Sequence, residues 1–212
     1  MMTPSSACSS VVTIDMQQGL YVDKLSSKAM INKSSNSPSV TDWGFPGHLS
    51  AQEYAIFKRF QQEISRRDDE FRRAIYCFGS EEEESFALCR WLRARKYDLA
   101  AVIKMVESAV QMRRAHSKHD FYPDAKKALG VEPSVYISQY PQLYCGHCKG
   151  GYPLFISKPG VLNVSGLECI TTMEGVLRYH WHAMIHQFGE NLRARKMSDP
   201  NFNRFEVVCI ID

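Results

Sequence analysis

The stretch FALCRWLRARKYD, residues 86–98, places four cations among Phe, Leu, Trp and Tyr side chains. A helix turns by about 100° per residue, so Leu88, Trp91 and Leu92 would form one apolar arc that packs on the rest of the protein. Arg95 would fall in the middle of that arc. The stretch therefore predicts a core helix with a cation on its apolar face.

Two interpretations of Arg95 are open. An unpaired buried guanidinium costs several kcal/mol, so the side chain must reach solvent or an anion. Either the helix frays by Arg95 and the guanidinium pairs with a local carboxylate, or the guanidinium binds a phosphate. Arg90 and Arg93 fall on the opposite side of the helix, and we expect them to be solvated or paired locally.

The flanking sequence predicts further helices. SAQE at residues 50–53 and SEEE at residues 80–83 are capping-box patterns, in which Ser caps a helix and Glu reaches back to it. The second box would begin the helix of residues 86–98, which should end near Lys96 because Asp98 is a good cap for the next helix. The first ordered part of the chain is therefore predicted to be helical.

The pattern changes after Pro123. VYISQY (135–140) and YPLFISKPG (152–160) are short runs rich in β-forming residues. A helix is predicted from about residue 172 to residue 192, and RFEVVCIID (204–212) has the apolar character of a strand buried on both faces. The second part is therefore predicted to be α/β, and its few strands lead us to expect a fragment with an unfinished sheet.

Composition limits the classes of protein. The formal net charge of +3 is too small to indicate nucleic-acid binding by itself. Seven cysteines, an odd number at irregular spacings, favour a reducing intracellular setting over a disulfide framework. The sequence contains no apolar run long enough to span a membrane and no signal-peptide pattern at its start. Residues 1–45 are Ser-rich and are predicted to be a disordered tail, and no internal repeat is evident.

The motif CGHC at residues 145–148 raises the question of redox or metal chemistry. A redox CxxC needs its first Cys at a helix N-terminus, but GGYP at residues 150–153 cannot continue a helix. We therefore predict a tip between two strands. Cys145, His147 and Cys148 could hold a metal only with an outside ligand.

The segment HWHAMIH, residues 180–186, has histidines at metal-binding spacing, but a zinc protease would need Glu where Ala183 stands. His180 shares a helical face with apolar residues and is expected in the core, whereas His182 and His186 are expected to be solvated. A Gly-rich phosphate loop and a Ser-nucleophile elbow are both lacking. We therefore predict no enzyme activity, no catalytic residue, no metal and no cofactor.

Five segments in this order resemble the CRAL-TRIO lipid-binding family, and the phosphatidylinositol/phosphatidylcholine transfer proteins in particular. They are ALCRWLRARKYD (87–98), YPQLY (140–144), GGYPL (150–154), TTMEGVLRYH (171–180) and VVCIID (207–212). The family has patterns like LLRFLRARKFD, YPQ-x-Y, DGRPV, TTM-x-R-x-x-RYH and a strand that ends in Asp-Leu-x-Gly. The chain departs from these patterns at Tyr152, where the family has Arg, and at Glu174-Gly175, where an Arg usually takes the second position.

The resemblance implies an α/β fold class: an N-terminal helical unit followed by an incomplete CRAL-TRIO lipid-binding domain. In the family, a sheet floors an apolar pocket and a mobile helix gates it. The implied domains are the tail at residues 1–45, the helical domain at 46–120 and the first part of the lipid-binding domain at 121–212. The gate helix and later strands would lie beyond Asp212, so we expect the isolated chain to bind lipid poorly.

The resemblance also implies a function: non-enzymatic binding and transfer or presentation of a phospholipid, with phosphatidylinositol as the leading ligand and exchange for phosphatidylcholine. Arg95 and Lys96 match residues that bind the inositol phosphate. Tyr144 matches an aromatic residue of the phosphatidylcholine site, and Phe155 stands where a Tyr is usual. The implied protein is a cytoplasmic monomer that contacts membranes transiently, Golgi or other endomembranes included, and that has phospholipid rather than nucleic acid as its partner.

Two alternatives remain. The chain could be a CRAL-TRIO scaffold or regulator that binds another hydrophobic ligand, such as a tocopherol or a sterol precursor. The least favoured alternative is a CGHC thiol oxidoreductase.

Overall fold

The computed structural model describes residues 10–13 and 42–212. Most of the predicted tail, residues 1–45, lies outside the described residues, although Phe45 is buried in a hydrophobic core. The chain divides into two compact units. One is helical and comprises residues 42–119 and Arg193–Phe205; the other is α/β and comprises Asp120–Leu192, Glu206–Asp212 and a strand at residues 10–13. The predicted domain boundaries assign residues 193–205 differently.

The helical unit begins with four helices. They are α1 (Ala51–Ser65), α2 (Asp69–Ile75), α3 (Glu84–Arg93) and α4 (Leu99–Ser117). The predicted capping box of α1 is confirmed, since the Ser50 side chain accepts the Glu53 N–H and the Glu53 carboxylate accepts the Ser50 N–H. The second predicted box is wrong: Glu83 occupies the N-cap position of α3 without a side-chain capping hydrogen bond, and Ser80 lies in a 3₁₀ turn.

The predicted apolar face of α3 is confirmed. Leu88, Trp91 and Leu92 are almost fully buried in the core of the helical unit. The helix ends at Arg93, three residues before the predicted end at Lys96. Arg95 therefore lies in the following turn and not on the helical face, so helix geometry gives no argument for an anion at this position.

The α/β unit contains a four-stranded sheet in the order β1-β4-β3-β2. Its strands are β1 (Ser10–Thr13), β2 (Gln142–His147), β3 (Pro153–Ser157) and β4 (Val208–Ile211). β2 and β3 form an antiparallel hairpin, β4 runs parallel to β3, and β1 pairs antiparallel with β4. The chain is thus mostly helical with a small sheet, which is compatible with the predicted α/β class.

The helices of the α/β unit are α5 (Ala125–Leu129), α6 (Pro133–Gln139), α7 (Val164–Ile170) and α8 (Met173–His182). A π-helical turn, Ala183–Phe188, joins α8 to α9 (Gly189–Ser198). The strand predicted at residues 135–140 is wrong. Pro133 instead begins a helix there, and Tyr136 packs its ring against Tyr179 of α8.

The helix predicted from residue 172 to residue 192 is confirmed at its start, where the Thr172 hydroxyl accepts the Gly175 N–H. Its helical path continues through the π-helical turn to Ser198. Within the described ranges, no helix has the length and apolar character needed to cross a bilayer.

A candidate ligand cavity in the α/β unit

A cavity of about 580 Å³ lies within the α/β unit. Residues of the sheet, of α6 and α8 and of the π-helical turn form its wall. The lining residues are Tyr136, Ile137, Tyr140, Gln142, Leu143, Tyr144, Phe155, Ser157, Pro159, Val176, Tyr179, His180, Ala183, Met184, His186, Gln187, Phe188, Glu190, Asn191, Cys209 and Ile211. The size and the mainly apolar lining are typical of small-ligand sites.

An aromatic cluster forms one part of the wall. Tyr144 and Phe155 face each other across the β2–β3 pair, with ring centroids 5.3 Å apart. Phe188 of the π-helical turn packs against both rings, at 4.1 and 5.5 Å. The structure therefore brings the two predicted pocket residues together in one cavity, and their contact with a lipid remains a prediction.

The hydroxyl of Tyr144 is a polar atom in an apolar environment. The oxygen is buried and has no hydrogen-bond partner among the described residues. Burial raises the pKa of Tyr144 well above its ordinary value, so the group is a neutral phenol that can donate a hydrogen bond. Buried polar groups nearly always have a partner, so an acceptor on a bound ligand would suit this position.

Other polar groups of the lining are mostly uncharged. The Ser157 hydroxyl donates to the Tyr140 hydroxyl at 3.1 Å, and Gln187, Glu190 and Asn191 add polar side chains. Among the described lining residues none is a lysine or an arginine. The cavity therefore suits an apolar ligand with a neutral or zwitterionic polar group better than a bare anion.

The histidine assignments made from the sequence are reversed. His182 is 7% exposed and its Nδ1 lies 2.8 Å from the Tyr122 carbonyl oxygen, while Nε2 of the half-buried His186 lies 2.7 Å from the Asp120 carbonyl oxygen. His180 is the exposed one because it faces the cavity. Desolvation by the surrounding atoms still lowers the pKa of His180.

The reversal has a structural cause. The buried face of α8 carries Gly175, Tyr179 and His182, of which Tyr179 also reaches the cavity lining. The apolar face predicted for the core, which includes Val176, His180 and Met184, lines the cavity instead. Periodicity indicates which residues share a face but not whether that face meets protein or a ligand space.

Arg95 and Lys96 lie in the turn between α3 and α4, in the helical unit. The half-buried Arg95 donates to the Ala94 carbonyl oxygen at 2.8 Å, and Lys96 is exposed. Neither belongs to the described lining of the cavity. Their role in binding a phosphate remains a prediction.

The other two arginines of the stretch make local contacts. Arg90 forms an ion pair with Glu82 at 2.9 Å, and the two side chains are 12% and 1% exposed. The guanidinium of Arg93 lies 3.7 Å from the centre of the Phe45 ring. Local pairing is therefore confirmed for Arg90, and free solvation of that side chain is excluded.

The CGHC motif lies at the predicted hairpin. Cys145 and His147 belong to the end of β2, and Cys148 opens the turn to β3. The two cysteines are free thiols and do not stand at a helix N-terminus. Within residues 42–212, no group of three His, Cys, Asp or Glu side chains is placed to hold a metal ion.

Several cavity residues escaped sequence analysis. Gln187, Glu190 and Asn191 add polar side chains to the lining, and Cys209 lines the cavity from β4. The π-helical turn sets the directions of the side chains that follow it, and no sequence signal indicates such a turn. Continuing the helical pattern of α8 toward residue 191 could have found part of this set.

A small sheet and a helix together form an apolar cavity that has the general form of a small-ligand site. Comparison with known sequences narrows the class. The chain is 30% identical to the SEC14 cytosolic factor of Kluyveromyces lactis over 142 residues, which are 66% of this chain and 42% of that protein. A CRAL-TRIO domain-containing protein of Saccharomyces cerevisiae is 26% identical over 138 residues, which are 64% of this chain and 41% of that protein.

A phosphatidylinositol/phosphatidylcholine transfer protein of Arabidopsis thaliana is 26% identical over 138 residues, covering 60% of this chain and 23% of that protein. No protein-family model matches the chain. These similarities support the CRAL-TRIO family for this chain, as the sequence motifs predicted. It spans about two fifths of the length of the Kluyveromyces lactis relative.

Proposed function

We propose that this chain binds a phospholipid in the cavity and transfers it between membranes or presents it to another protein, without catalysing a reaction. The observation that carries the proposal is the cavity of about 580 Å³ with its aromatic wall and its buried Tyr144 hydroxyl. The names of the SEC14 and transfer-protein relatives support phospholipid as the class of ligand. We also propose that the protein acts as a cytosolic monomer, without a cofactor, and contacts membranes only transiently.

The physical basis of the proposal is the burial of acyl chains. Each buried CH₂ group contributes about 0.8 kcal/mol, so an apolar cavity supplies affinity for any long acyl chain. Selectivity among lipids must come from polar contacts to the headgroup. For this purpose the Tyr144 hydroxyl offers a donor inside the cavity.

The finer proposal is a preference for phosphatidylinositol, with phosphatidylcholine as the exchange partner. Arg95 and Lys96 are our candidates for binding the phosphate. Arginine suits this role because its planar fork of donors matches phosphate oxygens. The support for these two residues is their match to the RARK pattern of the family.

A second candidate ligand is an uncharged hydrophobic molecule held by a scaffold or regulatory protein. The observation that favours it is the lack of lysine and arginine among the described lining residues. Under this alternative the bound molecule would carry no phosphate, and lipid identification by mass spectrometry would distinguish the two.

The test is a lipid-loading experiment on the full chain. The protein is mixed with vesicles of phosphatidylcholine and phosphatidylinositol and recovered, and its bound lipid is then measured by mass spectrometry. Ala183 lines the cavity, so Ala183→Trp should fill the space and lower the bound phospholipid at least fivefold. Met197→Trp is the matched control, because Met197 is 81% exposed on α9. Equal phospholipid in all three proteins would contradict the proposal, and only trace phospholipid in the unmodified chain would also contradict it and match the poor lipid binding expected from the sequence.

A further inference from the structure

Residues 158–165, KPGVLNVS, form an exposed segment that runs from the end of β3 into the first turn of α7. Every residue of this segment is exposed. Val161, Leu162 and Val164 are 62%, 36% and 55% exposed. Single exposed apolar residues are common on protein surfaces, but three branched aliphatic side chains within four residues form a local patch. We call these three residues the aliphatic loop.

Hydrogen bonds hold the aliphatic loop in place. The Leu162 N–H donates to the Pro159 carbonyl oxygen at 3.2 Å, which closes a 3₁₀ turn. The Asn163 N–H and side-chain amide donate to the Gln139 carbonyl and side-chain oxygens at 2.9 and 2.7 Å. The Asn163 side-chain oxygen then caps α7 by accepting the Gly166 N–H. The apolar side chains are thus presented by a fixed backbone.

The aliphatic loop is continuous with the lining of the cavity. Pro159, at the start of the 3₁₀ turn, lines the cavity, and so does Leu143 of β2, which is 59% exposed. Residues 159–167 carry no charged side chain. An uncharged apolar surface therefore runs from the exposed loop to the place where the proposed ligand binds.

We propose that the aliphatic loop inserts into the surface of a lipid bilayer and holds the cavity against the membrane while lipid enters or leaves. This inference rests on the proposed lipid-binding function, because a ligand drawn from a bilayer must cross from its interior to the cavity. Burial of branched aliphatic side chains in the acyl region is favourable. Because residues 159–167 carry no charged side chain, their insertion requires no desolvation of a charge. A lipid moving along this surface would avoid water.

The first experiment measures binding to vesicles of pure phosphatidylcholine by sedimentation. Val161→Asp and Val164→Asp each place a charge in the aliphatic loop, and each should lower the vesicle partition coefficient at least tenfold. Because both residues are exposed, the melting temperature should not change. Met197→Asp is the control, since it adds the same charge at an exposed residue of α9. Unchanged partitioning of both loop variants, or no vesicle binding by the unmodified chain, would overturn the inference.

The second experiment separates the loop from the cavity. Dihexanoyl phosphatidylcholine below its critical micelle concentration delivers lipid without a bilayer, and its binding is measured by calorimetry. The unmodified chain and Val161→Asp should bind it with equal affinity. If neither protein binds it, the proposed function fails, whatever the vesicle result. If Val161→Asp alone loses this binding, the loop belongs to the ligand site and the membrane inference is wrong.

A second copy of the chain is the competing occupant of the aliphatic loop. Gel filtration of the unmodified chain and of Val161→Asp distinguishes the two. A dimer that Val161→Asp converts to a monomer would contradict docking on a bilayer. An unchanged monomer in both proteins, together with the loss of vesicle binding, is the expected result.

Discussion

The pentapeptide LRARK occurs twice, at residues 92–96 and at residues 192–196, and the two copies fold differently. In the first copy the helix ends at Arg93, and Lys96 adopts a left-handed backbone conformation with φ of 49°. In the second copy helix α9 continues to Ser198. Five identical residues therefore do not determine their own conformation.

The residues that follow each copy account for the difference. Tyr97 is 4% exposed; its N–H donates to the Leu92 carbonyl oxygen at 2.8 Å and its hydroxyl donates to the Gly44 carbonyl oxygen at 2.5 Å. Asp98 then caps α4. Met197, in the same place after the second copy, is 81% exposed. We attribute the end of α3 to the burial of the Tyr97 ring. The corresponding residue Met197 is exposed, and α9 continues past it to Ser198.

The first prediction concerns Tyr97 and has the largest expected effect. Tyr97→Ala should lower the free energy of unfolding by about 3–4 kcal/mol, because it removes a buried ring and leaves a cavity. Tyr97→Phe keeps the ring and should cost about 1–2 kcal/mol through the unpaired Gly44 carbonyl. Urea unfolding followed by circular dichroism measures both changes.

Met197→Ala is the matched control for Tyr97→Ala and should change the free energy of unfolding by less than about 0.5 kcal/mol, since its side chain is exposed. Similar losses for Tyr97→Ala and Met197→Ala would show that the ring does not stabilise the turn. The explanation of the two LRARK copies would then be wrong.

The second prediction compares the corresponding arginines of the two copies. Under the proposed preference for phosphatidylinositol, Arg95→Ala should lower transfer of this lipid between vesicles at least tenfold and leave phosphatidylcholine transfer within about twofold, since one charged hydrogen bond contributes about 1.5–3 kcal/mol. Arg195→Ala should change neither rate, because Arg195 pairs with Asp199 at 3.0 Å.

Equal losses in Arg95→Ala and Arg195→Ala would indicate a general charge effect and not a phosphate site. Unchanged phosphatidylinositol transfer in Arg95→Ala would show that Arg95 does not bind the lipid phosphate. The two variants remove the same side chain from the same pentapeptide, so the comparison controls for net charge and local sequence.

Features that depend on local chemistry could be predicted from the sequence. The Ser50–Glu53 capping box and the apolar arc of α3 follow from residues a few positions apart, and the structure has both. The family motifs identified Tyr144 and Phe155, which line one cavity. These features need only spacing, caps and pattern.

Features that depend on distant contacts could not be predicted in this way. The early end of α3 depends on Gly44, far from Tyr97 in sequence. His182 is buried because its ring meets the Tyr122 carbonyl, 60 residues away. The repeated pentapeptide was missed because five residues are too short to indicate an architectural repeat, and its two conformations depend on tertiary packing.

The third prediction concerns the ion pair of the second copy and has the smallest expected effect. Arg195 and Asp199 are about one third exposed and lie one helical turn apart at the end of α9. Asp199→Asn should lower the free energy of unfolding by about 0.5 kcal/mol at low salt, because partly exposed pairs at this spacing are weak and screened. The loss should shrink when the ionic strength is raised, as urea unfolding at two salt concentrations would measure. A loss above about 2 kcal/mol at both would mean that the pair, and not the lack of a buried aromatic ring, holds the second LRARK in a helix.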